Sequence, residues 1–257
     1  MAYKIVRYNE KTYITVPKLT KLGLKHCFTS KDMDLGTKTN PSTKRIKENL
    51  KDIYNFLNIS PEGLFSGIQT HSKNIVTVKD TESGNQDPFG RSFPNTDGLI
   101  TDKKNIALIT RYADCIPILI YDPKRQVQAN IHSGWKGTWQ EIVVNGINIM
   151  REEYESQPED LIVVMGPSIG KDDFEVDLDV MEKFKKKFDF HSEVIARKNN
   201  KKYLIDLQGI NRRRLLESGV KEENIIAIDI STYQSPLLHS YRRDGKDFGL
   251  MGAISCM

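Results

Sequence analysis

Three short segments of the 257-residue chain set metal-competent or nucleophilic side chains beside turns and the ends of apolar runs. They are Gly67-Ile68-Gln69-Thr70-His71-Ser72, Arg111-Tyr112-Ala113-Asp114-Cys115-Ile116-Pro117 and Ile131-His132-Ser133-Gly134-Trp135-Lys136-Gly137. A thiolate beside an imidazole suits two chemistries, a Zn²⁺ site and a Cys/His nucleophile pair. With His71 added the set reads His, Cys, His, and three protein ligands with a fourth position open is the composition of a catalytic zinc site. A structural zinc site would normally take four ligands, most often several cysteines, and the sequence holds only Cys27, Cys115 and Cys256. That odd count, without a framework spacing, also argues against structural disulfides. The spacing of the three residues matches no local zinc-finger pattern, so their convergence has to come from the fold.

Local geometry supplies part of it. The β-branched runs Ile116 to Tyr121 and Val127 to Ile131 read as strands, and Asp122-Pro123-Lys124-Arg125 between them has the composition of a hairpin turn. Residues near 115 and 132 then face each other at the open end, which makes Cys115 and His132 neighbours. Further strands are expected at Ile75 to Val78, Ile106 to Thr110, Leu161 to Met165 and Ile225 to Ile230. Helices are expected from Ser42 to Asn58, where Ile46, Leu50, Ile53 and Leu57 share a face, from Gly137 to Tyr154, from Asp206 to Ser218, and around Met181 to Phe188. Gly84 to Asn95 reads as a surface loop inserted between strands. His26 and Cys27 are adjacent in an apparent strand and would point to opposite faces, and they, His191 and His239 read as structural.

Composition bounds the rest. With 38% hydrophobic and 28% charged residues the chain has the make-up of an ordinary folded domain, and its length suits one α/β domain over 1–257. The net charge of +4 is spread along the sequence, which speaks against a nucleic-acid partner. Lys183, Lys185, Lys186 and Lys187, and then Lys198, Lys201 and Lys202, read as a solvated helix face and a polar turn. No apolar run is long enough to cross a bilayer and the first residues lack a secretory apolar stretch, so a cytoplasmic chain with no membrane partner is expected.

At these segments the sequence resembles the YfiH/laccase-domain family, also called multicopper polyphenol oxidase, peptidoglycan editing factor and purine nucleoside phosphorylase. The resemblance rests on Gln69-Thr70-His71, Thr96-Asp97-Gly98, Ala113-Asp114-Cys115-Ile116-Pro117 and His132-Ser133-Gly134-Trp135-Lys136-Gly137-Thr138. It continues through Gly166-Pro167-Ser168-Ile169-Gly170, Asn211-Arg212 and Ser240-Tyr241-Arg242-Arg243-Asp244-Gly245. The resemblance implies a four-layer α/β/β/α sandwich with mixed sheets and a zinc held by His71, Cys115 and His132. It implies a purine nucleoside phosphorylase with adenosine deaminase activity, taking a nucleoside and phosphate as small-molecule partners, in a monomer or weak homodimer. The alternatives it carries are a copper-dependent polyphenol oxidase and a Cys/His hydrolase or peptidoglycan-editing protein using Cys115 and His132. Five histidines and three cysteines, mostly unclustered, cannot build the several copper sites that multicopper oxidation needs.

Zinc chemistry suggests roles for further residues. A zinc-activated water attacking C6 of adenine wants a proton shuttle, for which Asp114 and Glu175 are the candidates. Phosphate held against the ribose calls for cations such as Arg111, Lys136 or Arg243. Gln69 is a candidate to orient His71 or substrate, and Trp135 either covers the core or stacks on a purine. The sequence departs from the family pattern in a shortened Phe28 to Gly36 segment with only Lys31 as its basic residue, in Asp172-Asp173 where a Cys pair is common, and in Ser72 where a Gly is common.

Overall fold

A computed structural model describes residues 2–257. Its secondary structure starts from the apolar patterns read above. The helix Thr43–Leu57 begins where the Ser42 hydroxyl accepts a hydrogen bond from the Arg45 amide at 3.2 Å, and it ends at Asn58 in the left-handed region. Its stripe of Ile46, Leu50, Ile53 and Leu57 packs with Cys27, Ile109 and Ile254 on the outer face of a sheet. The hairpin forms as expected from Ile116–Asp122 and Val127–Ser133, with Ile118 opposite Ile131 and Pro117 opposite His132. The Asp122 carboxylate accepts from the Lys124 and Arg125 amides at 2.9 and 3.0 Å, which closes the turn.

Among the described residues the strands build an eight-stranded, a six-stranded and a small three-stranded sheet. The eight-stranded sheet runs Lys4–Tyr8, Lys11–Thr15, Lys25–Thr29, Met251–Cys256, Ile106–Tyr112, Gly63–Gly67, Gly90–Phe93 and Asn85–Asp87. The six-stranded sheet runs Ile225–Ala227, Ile162–Met165, Ile116–Asp122, Val127–Ser133, Gly98–Thr101 and Ile75–Thr77. Both are mixed: Gly63–Gly67 pairs in parallel with both neighbours, and Ile75–Thr77 in parallel with Gly98–Thr101. The six-stranded sheet buries both faces, so alternate residues sort into two cores. Ile116, Ile118 and Ile120 face the helices Ile142–Tyr154, Leu178–Lys187 and Leu207–Glu217, whereas Leu119 and Tyr121 face the other sheet with Phe28, Met251 and Ala253. The result is the four-layer α/β/β/α sandwich. A polar stitch crosses the inner interface, where the buried Asn130 amide donates to the Leu108 and Ala253 carbonyls at 3.1 and 2.8 Å and accepts from Thr110 at 2.7 Å.

Three expectations change. The helix expected from Gly137 to Tyr154 is two, Trp135–Trp139 and Ile142–Tyr154, because Glu141 adopts a φ of +60° between them and ion-pairs with Lys187 and Arg214. The segment expected to be a loop from 84 to 95 holds the hairpin Asn85–Asp87/Gly90–Phe93, whose turn is fixed by the Asp87 carboxylate accepting from the Phe89 and Gly90 amides. The strand expected to reach Ile230 stops at Ala227, where its pairing with Ile162–Met165 ends. No helix among the described residues is long and apolar enough to cross a membrane.

Candidate metal centre

The chain passes from the eight-stranded to the six-stranded sheet at one end of the sandwich in three places. Gly63–Gly67 leads to Ile75–Thr77 through a crossover that carries His71, Gly90–Phe93 leads to Gly98–Thr101 through one that carries Asp97, and Ile106–Tyr112 leads to Ile116–Asp122 through one that carries Cys115. Gly63–Gly67 runs parallel to both of the other departing strands, so all three crossovers leave from the same end. His132 lies one residue before the end of Val127–Ser133, which finishes there. The first and third crossovers are tied together by Gln69, whose side-chain amide donates to the Arg111 carbonyl and accepts from the Arg111 amide, both at 2.8 Å.

This arrangement brings one donor atom each from His71, Cys115 and His132 within 4.8 Å of one another. The histidine rings stand edge to face with centres 5.1 Å apart. His71 is exposed, Cys115 half-buried and His132 buried. His132 pairs with Pro117 and Cys115 precedes the strand, two residues from the facing position expected in the hairpin. Gly134 explains how the cluster fits together. A Cβ there would lie 2.7 Å from His71 Cδ2 and 2.8 Å from Cys115 Sγ, so a side chain at this position would push the ring and the thiol aside.

Asp97, which has no chemical signal of its own in the Thr96-Asp97-Gly98 segment, stands behind two of the three donors. It is fully buried and its Oδ1 accepts from His132 Nδ1 at 2.9 Å, which leaves Nε2 of that ring as the donor atom. Its carboxylate also accepts from the amides of Thr70, His71 and Ser72 and from the Ser72 hydroxyl. The hydroxyl bond, 2.7 Å long, is one that the glycine common at this position could not make. Burial works to raise the Asp97 pKa, but the His132 and Ser72 hydrogen bonds outweigh it and hold the carboxyl well below the usual range. Burial likewise works to raise the Cys115 thiol, yet the charge and hydrogen bonds of His132 and His71 bring it down to about 6. Against its own burial, the Cys115 and Asp97 charges lift His132 to about 9. Without a metal the pair is therefore thiolate and imidazolium at neutral pH, and binding a cation would release the imidazolium proton.

The other candidate residues fall outside the three-donor cluster. Both carboxylate oxygens of Asp114 are engaged, by the Thr232 hydroxyl at 2.6 Å and the Arg242 amide at 2.7 Å, and its φ of +84° sets the turn into Cys115. It anchors the C-terminal segment to the site. Glu175 lies on the three-stranded sheet, ion-paired with Lys198 and Lys202, and the Lys198 hydrogen bond holds its pKa down. Both lysines already engage this carboxylate, which is not among the three donors that converge. Arg243 donates to the carbonyls of Thr232, Tyr233, Ser235 and Leu238 and to Asp244, so its guanidinium clamps a loop and is not open to phosphate. Gln69, expected to orient His71 or substrate, has both ends of its amide on the Arg111 backbone.

Lys136 is exposed and two residues beyond Gly134. Arg111 is half-buried and its Nε donates to the Leu35 carbonyl at 2.7 Å. Trp135 packs at a tilt against Phe184, with the Lys136 and Lys183 ammonium groups 5.6 and 5.8 Å from its ring centre, as a covering residue would. Asn211 supports the turn from behind, donating to the Thr138 hydroxyl at 3.0 Å, and Thr138 in turn meets the Ser133 hydroxyl at 3.0 Å.

The model of the family described as multi-copper polyphenol oxidoreductase laccase matches residues 23–257. The chain belongs to this family. Its relatives include the purine nucleoside phosphorylase YlmD of Bacillus subtilis, 34% identical over 191 residues that make up 72% of this chain and 68% of that protein. The purine nucleoside phosphorylase of Bacteroides thetaiotaomicron is 35% identical over 67% of this chain and 65% of its own length. The purine nucleoside phosphorylase LACC1 of Homo sapiens is 29% identical, and the chain spans 47% of its length. In three dimensions the chain is similar to the YfiH protein of Bacillus licheniformis, with a TM-score of 0.88 at 25% identity over 97% of this chain and all of that one. YlmD of Geobacillus stearothermophilus gives the same TM-score at 24% identity over 98% of both chains, which speaks for the fold. The family description names copper, whereas the donors brought together here among the described residues are two imidazoles and one thiolate, a composition known from zinc sites.

Proposed function

We propose that this protein is a zinc-dependent purine nucleoside phosphorylase that also deaminates adenosine. The convergence of His71, Cys115 and His132 carries this reading, and the names of the relatives supply the substrate class. The donors fit the ion: two imidazoles and a thiolate lie close enough to share one cation, and the thiolate is already formed at neutral pH. When bound, zinc supplies Lewis acidity and the lowered water pKa that hydrolytic deamination at C6 requires.

The chain's own residues do the rest. Asp97 holds His132 in the tautomer that presents Nε2, and Gly134 keeps the space beside the thiolate clear. Lys136 and Arg111 are the cations we assign to phosphate, since the Arg243 guanidinium is occupied. In phosphorolysis a phosphate oxygen bonds to C1′ of the ribose as the C1′–N9 bond breaks and the base leaves. In deamination water adds to C6 and ammonia leaves.

One observation favours a second reading. Asp97, His132 and Cys115 form a line of carboxylate, imidazole and thiolate, the order a cysteine hydrolase uses when no metal is bound. Both readings are tested by incubating zinc-loaded and metal-free protein with adenosine or inosine, with and without phosphate, and separating the products. The phosphorylase reading expects free base and ribose 1-phosphate only with phosphate, and inosine from adenosine only with zinc. Base release that ignores phosphate, or no turnover of either nucleoside, overturns it. Hydrolysis of amide substrates by the metal-free protein, lost in Cys115→Ala, would favour the second.

A further inference from the structure

Asp97 reaches the histidine ligands through both its main chain and its side chain. It precedes the strand Gly98–Thr101, and its carbonyl accepts from the His132 amide at 2.7 Å while its Oδ1 accepts from His132 Nδ1 at 2.9 Å. His132 is thus held at two points by one residue. On the other side three consecutive amides converge on the same carboxylate, from Thr70 at 3.1 Å, His71 at 3.0 Å and Ser72 at 2.8 Å, joined by the Ser72 hydroxyl at 2.7 Å. His71 sits in that turn at a φ of +61°, a conformation that residues other than glycine adopt at a cost. The amide bonds to Asp97 are what offset it. Cys115 meets both imidazoles from the metal side, and Asp97 holds both histidines from behind. The His71 side chain is exposed and has little packing of its own to hold it, so the backbone turn sets where its ring stands.

We propose that Asp97 is the positioning residue that sets the affinity of the site for its metal, by fixing the ring of His132 and the turn of His71 with one buried carboxylate, and that the Ser72 hydroxyl tightens this grip. The proposal rests on the reading that His71, Cys115 and His132 hold a divalent ion. A neutral amide in place of the carboxylate would turn an NH₂ group toward donors and lose the charge that complements the bound cation's ligands. Ser72→Ala removes one of the carboxylate's donors and leaves the three amides in place.

The test compares wild-type, Asp97→Asn and Ser72→Ala full-length proteins by zinc competition with a chromophoric chelator and by the absorption spectrum after cobalt substitution. Circular dichroism on the same samples reports folding. Asp97→Asn is expected to weaken zinc binding about 10–100-fold and to alter the cobalt ligand-field bands, with Ser72→Ala weaker by roughly two- to fivefold. A folded Asp97→Asn protein with wild-type zinc affinity and an unchanged cobalt spectrum overturns the proposal, whatever its melting temperature. If Asp97→Asn does not fold, Ser72→Ala decides, and unchanged affinity there overturns it. Wild-type protein that binds no divalent ion overturns the metal reading together with the proposal, whereas normal wild-type binding with unaffected variants overturns the proposal alone.

Discussion

A histidine and a cysteine meet twice in this molecule, with opposite outcomes. In the strand Lys25–Thr29, His26 and Cys27 are neighbours in sequence inside the eight-stranded sheet. His26 donates from Nδ1 to the Leu24 carbonyl at 3.0 Å and accepts the Val16 amide on Nε2 at 2.9 Å, and burial lowers its pKa to about 4. Cys27 points to the other face, among Ile46, Ile53 and Ile254, where burial pushes its thiol far up. At the end of the sandwich, His132 and Cys115 are separated in sequence yet share charge, and the thiol comes down to about 6. Both cysteines lose solvation. The difference lies in the partners: Cys115 meets two imidazoles, one of them backed by a carboxylate, whereas Cys27 meets hydrocarbon. Residue type alone does not make a reactive site; a second charge within reach does.

The largest effect is expected from Gly134→Ala. The backbone there, with φ of −75°, accepts alanine, so the effect of the added methyl is confined to its collision with Cys115 Sγ and His71. We expect zinc binding to weaken by about 100-fold with the fold retained, read by chelator competition and circular dichroism. Near-normal zinc affinity would mean that the donors meet farther from Gly134 than the structure has them.

Next in size is the contrast in thiol reactivity. In metal-free protein the alkylation rate of Cys115 should rise with pH through a midpoint near 6, while Cys27 and Cys256, whose thiols are raised, stay unmodified until the protein unfolds. Because the folded pKa of Cys115 is depressed, its linked contribution to stability is complete above the unfolded value near 9 and is lost as pH falls through about 6. Mass spectrometry of iodoacetamide-treated protein across that range gives the midpoint, and one near 9 would show that the ion pair does not form.

The smallest effect should come from His26→Ala. It orphans the Val16 amide and the Leu24 carbonyl in a buried setting, which costs about 1–3 kcal/mol in urea denaturation. Zinc affinity and Cys115 alkylation should not move. A change in either would mean that the two histidine–cysteine regions are coupled through the sheet.

Much of the frame is written in local pattern. The stripe of Ile46, Leu50, Ile53 and Leu57, the β-branched hairpin strands and the Asp122 turn are short-range signals, and each formed as read. The nearness of Cys115 to His132 follows from that hairpin to within two residues. Other features leave no short-range trace. Asp97 looks like any aspartate ahead of a strand, and its six donors come from residues 25 or more positions away. Arg243 and Asp114 carry the charges a phosphate site or a proton shuttle needs, but their acceptors and donors lie on loops whose placement depends on the whole chain. The hairpin within 84–95 was hidden because Gly, Pro and Asp signal a turn before they signal the strands that flank it.

By itself the sequence determined which stretches form strands and helices and which three side chains could share a cation, since periodicity, turn chemistry and donor type are properties of neighbouring residues. Local pattern could not foresee that three crossovers leave the eight-stranded sheet at the same end, that a buried carboxylate grips both histidines, and that both candidate acids and one candidate cation are already engaged. Those outcomes turn on distances between residues far apart along the chain, and such distances exist only once the sheets have paired and stacked.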